Sequence, residues 1–183
     1  MLAKVKSGNT GYDIVVPGDY MIKVMIEQDL LAMVEPNKME NFVHMDPKWV
    51  NVWWDDGRSY SVPWQWGTTS FTVDTEVFKG DIDTLALLFD PPAELQGRIN
   101  MLNDMNDVIN AGLRYLGYGR CNGNVDELKQ VTELLLKAKP NWRTMDYSTI
   151  EKLTSGDVDL SQTWNGAAMR ARAQRPTLKY AYP

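Results

Sequence analysis

The sequence SVPWQWGTTSFTVD, residues 61–74, decides how the chain folds. It begins as an apolar strand, breaks at Pro63, passes two tryptophans and a glycine, and resumes as a β-branched strand. This pattern is typical of a chain that leaves one α/β lobe and enters another through a hinge. The sequence therefore predicts a first lobe over residues 1–65, a hinge crossover over 66–74 and a second lobe over 75–183.

Composition narrows the class of partner. The chain of 183 residues carries 19 basic and 24 acidic side chains, a formal net charge of -5. Nucleic acid demands a basic face, so this balance argues against a nucleic-acid partner, while it is compatible with a cationic ligand. No apolar run approaches the length of a membrane span, and the N-terminal residues contain no apolar stretch of signal-peptide length.

The sequence contains few residues or motifs that could support catalysis or metal binding. His44 is the single histidine, which removes His-rich metal sites and most Ser-His or Cys-His arrangements. Cys121 is the single cysteine, so no intrachain disulfide can form. No phosphate-binding loop, nucleophile elbow or metal-ligand spacing is present. We therefore expect a protein that is not an enzyme and uses neither a cofactor nor a metal.

The first segment reads as α/β. A helix is predicted near residues 1–6 and a second over 20–28, where Met21, Val24 and Met25 have helical spacing. Between them, the apolar run Tyr12–Val16 predicts a short strand buried in a parallel sheet. A further short helix is expected to begin at Asp46-Pro47.

The second segment reads as a sheet covered by helices on both faces. The clearest helix begins at Asn124, with Glu127 three residues later as in a capping box, and continues to Ala138. Spacing and breakers predict the other elements: strands over 70–74, 98–102, 158–164 and 178–182, and helices over 83–89, 104–116, 149–153 and 165–172.

Three sequence segments resemble those of a known family: YDIVVPGDY (residues 12–20), the stretch 61–74, and TWNGAA (residues 163–168). Together they resemble the extracellular spermidine/putrescine-binding proteins of ABC transporters, over nearly the whole chain. The resemblance implies an α/β fold of the type II periplasmic-binding-protein kind, with one nearly complete lobe and part of the other. It also implies a periplasmic location and a chain that corresponds to the middle of such a protein.

Asp104 and Asp107 open a predicted helix, where the helix dipole favours negative charge. One interpretation is structural: one carboxylate caps the helix and the other complements its dipole. The resemblance favours a second interpretation, because the family places acidic residues at these two positions to bind a ligand ammonium or secondary amine. A desolvated ammonium needs a carboxylate partner.

Trp164 ends a predicted strand, so its ring can stand at the carboxyl edge of the sheet, where ligands bind in open α/β folds. An indole face attracts cations and lies flat against methylene chains. A core position is the alternative for any single tryptophan. The resemblance implies that Trp164 stacks on a polyamine.

Four further residues complete the predicted site. The resemblance implies that Tyr20 contacts the ligand from the first lobe. Asp19 could add a carboxylate, although a helix N-cap is the favoured interpretation. Trp66 is interpreted as structural first, packed at the hinge or the cleft mouth. Asp146, in a loop before a short helix at the same edge, is the weakest of the set.

The sequence thus predicts a solute-binding protein that captures spermidine or putrescine between two lobes and delivers it to an ABC permease. The alternatives are a binding protein for another organic cation or amine, a remnant that binds nothing and, least favoured, an enzyme. Because an incomplete first lobe would expose sheet edges and apolar faces, a homo-oligomer formed through that lobe is also expected.

Overall fold

The computed structural model describes residues 1–183 and divides into two compact units, Met1–Trp66 and Gly67–Pro183. None of the helices in either unit combines the length and the apolar character that crossing a membrane requires.

The first unit is built from short helices. Its α-helices are α1 (Leu2–Lys6) and α2 (Asp19–Glu27), both close to the predicted positions. Four 3-10 turns follow α2: Pro36–Lys38, Glu40–His44, Pro47–Trp49 and Asp56–Arg58. As predicted, Asp46 starts the Pro47–Trp49 turn: its carboxylate accepts a hydrogen bond of 3.0 Å from the Lys48 N–H.

The predicted strand Tyr12–Val16 is wrong, because the unit forms no sheet. The segment is irregular and exposed: Ile14 is 84% and Val16 63% accessible. A strand needs a neighbour for its backbone N–H and C=O groups, and the unit's one β-bridge joins Val52 to Asp55. An apolar run predicts burial only where another element can cover it.

The apolar strand expected just before Pro63 is also absent, and side-chain hydrogen bonds hold the chain there instead. The buried carboxylate of Asp55 accepts from the backbone N–H groups of Ser59, Tyr60 and Ser61 at 2.9–3.2 Å. The buried Arg58 donates to the Trp49 carbonyl at 2.7 Å. This network satisfies the backbone without a sheet partner.

The second unit contains one mixed sheet of five strands. The strands are β1 (Thr69–Asp74), β2 (Ile99–Met101), β3 (Trp142–Met145), β4 (Leu160–Trp164) and β5 (Leu178–Ala181). Their order in the sheet is β3-β2-β4-β1-β5. Parallel pairing joins β2 to β3 and β4, whereas β1 runs antiparallel to β4 and β5. All but β3 match predicted strands. Although residues 66–74 were interpreted as a hinge, Thr69–Asp74 pairs on both sides within this sheet.

Five helices complete the second unit: α3 (Ala86–Phe89), α4 (Met105–Tyr115), α5 (Val125–Ala138), α6 (Thr149–Ser155) and α7 (Asn165–Gln174). The predicted cap of α5 is confirmed: the Asn124 side chain accepts from the N–H groups of Asp126 and Glu127 at 3.0 and 3.4 Å. The shorter α6 ends at Gly156, whose positive φ of 76° suits glycine.

The helices form two groups with separate apolar clusters, as expected for a sheet covered on both faces. Helices α3, α4 and α5 contribute to the larger cluster, which includes Phe71, Val73, Leu88, Ile99, Met101 and Leu160. The smaller cluster joins α6 and α7 through Leu153, Val158, Ala171 and Leu178. Between α4 and α5 the approach is close: a Cβ on Gly112 would lie 2.9 Å from Val131 Cγ1.

Candidate ligand-binding site

The sheet brings four predicted residues to one edge. Because β2, β3 and β4 are parallel, their carboxyl ends meet there, and the start of antiparallel β1 joins them, with Thr69 opposite Trp164. Asp104 and Asp107 follow β2, Asp146 follows β3, and Trp164 ends β4. The predicted position at a carboxyl edge is confirmed for Trp164 and Asp146, and the same edge also holds Asp104 and Asp107.

Asp104 is the N-cap of α4, so the structural interpretation of this residue is confirmed. Its backbone is extended, and its carboxylate accepts a hydrogen bond of 3.1 Å from the Asp107 N–H. Asp107 lies in the first turn of the same helix, where the dipole favours its charge. The cap thus places two half-buried carboxylates three residues apart at the start of the helix.

A hydrogen bond joins two of the predicted ligand residues across the chain. The indole N–H of Trp164 donates to Asp107 Oδ2 at 2.9 Å, although the residues are 57 positions apart. Trp164 remains 40% exposed, so its ring is not a core side chain. The core alternative for Trp164 is therefore wrong, because the end of β4 lies at the open edge of the sheet.

Asp107 is an electrostatically unusual carboxylate. Burial raises the pKa of Asp107 above its usual value, and the charge of Asp104 acts in the same direction. Hydrogen bonds from Trp164 and Thr69 and the charge of Arg120 lower the pKa in part. A carboxylate that has already lost much of its water gains more from a cationic ligand than an exposed one does.

Tyr147 belongs to the site and was missed by the sequence analysis. Its ring stacks on Trp164 with centroids 5.7 Å apart and planes at 20°, and its hydroxyl donates to the Asn103 carbonyl at 2.6 Å. Burial, followed by the charges of Asp104 and Asp107, raises the pKa of the Tyr147 hydroxyl. The signal was an aromatic residue two positions after β3, a strand that the sequence did not predict.

The sequence analysis also missed Gln162, which holds the backbone of Asp107 in place by a hydrogen bond. This residue of β4 is 1% exposed; its amide donates to the Asp107 carbonyl at 3.1 Å and accepts from the Leu102 N–H at 3.3 Å. Both contacts tie the start of α4 to the sheet. A polar residue inside an otherwise buried strand was the available signal, since such groups are retained only with partners.

Asp146 lies at the predicted edge with its carboxylate already engaged. One oxygen accepts from the Ser148 N–H at 2.9 Å and the other pairs with Lys152 at 3.3 Å. These contacts hold the turn into α6. A ligand role for Asp146 stays a prediction, and its pairing with Lys152 weighs against it.

The first unit holds the remaining predicted residues. Tyr20 lies in α2 and is 40% exposed. Asp19 is not the N-cap: Gly18 occupies that position, and the Asp19 carboxylate accepts from the Tyr20 N–H at 2.8 Å. The reason is that the helix begins one residue earlier than the cap interpretation required. Ligand roles for Tyr20 and Asp19 stay predictions.

Trp66 packs less than a structural tryptophan would. Its ring lies 6.0 Å from that of Trp49, and the Lys48 ammonium stands 4.7 Å from the centroid of each ring. The side chain is nevertheless 67% exposed. Its ring therefore makes a cation–π contact with Lys48 at the surface of the first unit.

No group of three or more histidine, cysteine, aspartate or glutamate side chains is arranged to hold a metal ion. The polar groups of the site are carboxylates, an indole and a phenol. This set suits an organic cation, because carboxylates pair with ammonium groups and aromatic faces cover methylenes.

The family model for bacterial extracellular solute-binding proteins matches residues 1–183, and the chain belongs to this family. The family binds solutes for transporters and is not an enzyme family. The fold is the mixed α/β fold of the periplasmic binding proteins that the chain resembles.

Relatives named as polyamine-binding proteins match the whole length of this chain. The chain is 30% identical to a spermidine/putrescine-binding periplasmic protein of Salmonella typhimurium over 186 residues, covering 100% of this chain and 53% of that protein. A protein of the same description from Haemophilus influenzae is 28% identical, with 100% and 51% covered. The chain thus spans about half the length of these relatives.

Solved structures agree. A Listeria monocytogenes protein, proposed to belong to a spermidine/putrescine ABC transporter, superposes with a TM-score of 0.90 at 31% identity, covering 100% of this chain and 56% of that one. The substrate-binding protein PotD of Streptococcus pneumoniae gives a TM-score of 0.75 at 26% identity, with 100% and 56% covered.

Proposed function

We propose that this chain forms part of a solute-binding protein that captures a polyamine, spermidine or putrescine, for uptake by an ABC transporter. The observation that carries the proposal is the hydrogen-bonded pair of Asp107 and Trp164 at the carboxyl edge of the sheet. It joins a partly desolvated carboxylate to a half-exposed indole face. An ammonium and the methylenes next to it need these two surfaces side by side.

In this mechanism each residue of the edge has a role. The carboxylates of Asp104 and Asp107 meet ligand nitrogens, and the faces of Trp164 and Tyr147 cover the methylene chain. Gln162 positions Asp107 without touching the ligand. Tyr20 of the first unit would supply a further contact. The partner that receives the ligand is an ABC permease, and the location is the periplasm or the outer face of the cell.

The first unit supports a second proposal, self-association. Its apolar side chains Tyr12, Ile14 and Val16 are more than half exposed, along a backbone without strand partners. Such a segment can pair with an edge strand of a second copy. We propose a homo-oligomer formed through this segment.

A titration with matched variants tests the polyamine proposal. Putrescine and spermidine are added to the ¹⁵N-labelled chain while the Trp164 indole resonance and the backbone amide resonances are followed into the millimolar range. Binding should shift both kinds of resonance. Asp107→Asn and Trp164→Ala, each followed through its backbone amides, should reduce affinity at least tenfold. Glu133→Gln, on the exposed face of α5, should change nothing. Resonances of the original chain that do not move at millimolar polyamine contradict the proposal.

A further inference from the structure

A small cavity opens beside Asp107 within the second unit. Its volume is about 170 Å³, room for roughly five water molecules. The wall includes the Asp107 side chain, two cationic side chains, Arg114 and Arg120, and two apolar ones, Leu85 and Leu88. The cavity therefore combines one hydrogen-bond acceptor, two cationic hydrogen-bond donors and an apolar surface.

Neither arginine of the cavity is committed to an ion pair. Arg114 lies over the ring of Tyr182, with its guanidinium carbon 5.1 Å from the centroid, and no carboxylate lies within 4.0 Å of either guanidinium group. The other arginines near the sheet behave differently, since Arg98 and Arg175 are paired with Asp159 and Asp74. The donors of Arg114 and Arg120 remain available to a ligand.

The loop that carries Arg120 is anchored to α4. The N–H of Cys121, a residue with a positive φ of 56°, donates to Asn110 Oδ1 at 2.8 Å. The Asn122 amide donates to the Gly119 carbonyl at 2.8 Å and to Glu127 at 2.7 Å. These contacts set the position of Arg120 beside the cavity before any ligand arrives.

The charges of the cavity disfavour a second ammonium group. A diamine bound through one nitrogen at Asp104 and Trp164 would bring its other nitrogen toward two guanidinium groups, and like charges repel. An amide group suits the same wall. Its N–H can donate to Asp107, its carbonyl can accept from Arg114 or Arg120, and a methyl group can cover Leu85 and Leu88.

We propose that this cavity receives the acyl end of a mono-acylated polyamine, whose free ammonium lies against Asp104 and Trp164. The inference rests on the proposed polyamine site and names the form of polyamine that it prefers. Arg114 and Arg120 are then specificity residues. Asp107 serves both halves of the ligand, because it borders the cavity on one side and holds the Trp164 indole on the other.

The test compares three probes that share a four-carbon chain ending in an ammonium group: N-acetylputrescine, putrescine and 4-aminobutanoate, each titrated into the full chain by NMR. N-acetylputrescine should bind at least tenfold more tightly than putrescine. Arg114→Gln and Arg120→Gln should each reduce that preference at least fivefold without weakening putrescine. Arg172→Gln removes the same charge from the exposed face of α7, away from the cavity, and should leave the preference intact.

The outcomes separate this inference from the proposed function. If putrescine binds as tightly as N-acetylputrescine and the arginine variants match the original chain, the acyl site is overturned while polyamine binding stands. If 4-aminobutanoate binds most tightly, the cavity takes a carboxylate, which also overturns the acyl assignment. Failure of all three probes to bind, in a chain with unchanged circular dichroism, overturns both.

Discussion

At the scale of single residues, the bond between Trp164 and Asp107 limits what each can offer a ligand. The indole N–H is already donated, so a ligand meets the ring face and not the nitrogen. Asp107 keeps acceptor capacity, since an ionised carboxylate can accept several hydrogen bonds. The pair therefore presents a flat apolar surface next to a negative charge, and removing either residue alters the other.

The two roles of Asp104 can be separated by substitution. Asparagine also caps helices well, so Asp104→Asn should leave stability almost unchanged while it weakens polyamine binding by about 1.5–3 kcal/mol, the scale of a charge-assisted hydrogen bond. Asp104→Ala should lose the cap as well and destabilise the protein by about 1 kcal/mol. Urea denaturation and ligand titration measure the two effects. Full affinity in Asp104→Asn would show that its charge does not reach the ligand.

The raised pKa of Asp107, caused first by burial, predicts how binding responds to acid. An ammonium ligand needs the ionised carboxylate, so affinity should fall as the pH drops through this raised pKa. The decline should therefore begin at a higher pH than an ordinary aspartate would give. Asp107→Asn should remove this part of the pH dependence. Titrations between neutral pH and the onset of acid unfolding would measure it.

The charge of Asp107 should affect the pH dependence of folding stability in the direction opposite to its effect on ligand affinity. Because the folded-state pKa of Asp107 lies above its unfolded value, the linked stabilisation is present below the unfolded pKa and is lost as the pH rises through the folded pKa. Relative to the original chain, Asp107→Asn should thus gain more stability at neutral pH than in acid. Equal effects at both pH values would contradict a buried, penalised charge.

At the scale of elements, the contact between α4 and α5 leaves no room for a side chain at Gly112. A Cβ there would lie 2.9 Å from Cγ1 of Val131, a β-branched residue that is 1% exposed and cannot easily turn away. Gly112→Ala should therefore destabilise the protein by about 1–3 kcal/mol, despite the better helix propensity of alanine.

Gly166 of α7 gives the matched control, because a Cβ there meets no atom within 4 Å. Gly166→Ala should leave stability unchanged or raise it by up to about 1 kcal/mol. Thermal denaturation of both variants tests the comparison. A Gly112→Ala protein as stable as Gly166→Ala would mean that the helices can separate at little cost.

Elements with local signals were predictable, and those that depend on distant partners were not. Helix α5 is predicted by Asn124, Glu127 and the spacing of its apolar residues, which all lie within one stretch of chain. The strand expected at Tyr12–Val16 had the right composition but no neighbour, and pairing is not a local property. Strand β3 was missed because its residues WRTM hold no run of apolar side chains and none of them is fully buried.

The candidate site likewise has features that the sequence predicts and features that depend on the folded structure. The predicted strand end placed Trp164 at the carboxyl edge of the sheet, the predicted helix began with Asp104 and Asp107, and the resemblance gave all three a ligand role. The hydrogen bond across 57 positions, the stacking of Tyr147 and the support from Gln162 depend on which strands become neighbours. Strand order in a sheet is a property of the folded chain, so no short stretch of sequence reveals these contacts.

At the scale of the whole molecule, the exposed segment of the first unit predicts self-association. Ile14 is 84% exposed, so Ile14→Lys should leave the stability of the monomer within about 0.5 kcal/mol of its starting value. The same change should abolish assembly, because a charge on an open strand prevents edge pairing. Val43, in the same unit and 80% exposed, provides the control Val43→Lys, which should still assemble.

Light scattering after size-exclusion chromatography measures this prediction directly, over a range of protein concentrations. The backbone amides of residues 12–16 should exchange slowly in the assembled protein and rapidly in Ile14→Lys. An original chain that is monomeric at every concentration would contradict the proposed oligomer.

The pairing of β1 with β5 has a mechanical consequence. Gly67 and Pro183, where the second unit begins and ends, both lie next to the same end of this antiparallel pair, beyond Phe71 and Ala181. A force that separates them would load the strand pairs one after another, as a zipper opens, beginning with the hydrogen bond of 3.0 Å between Thr68 and Tyr180. Strand pairs that break one at a time need little force, so in an optical trap this sheet should begin to unfold at the edge that holds the site. A ligand in the cavity lined by Thr69 and Tyr182 would hold the two chain segments together, and its binding should raise the unfolding force.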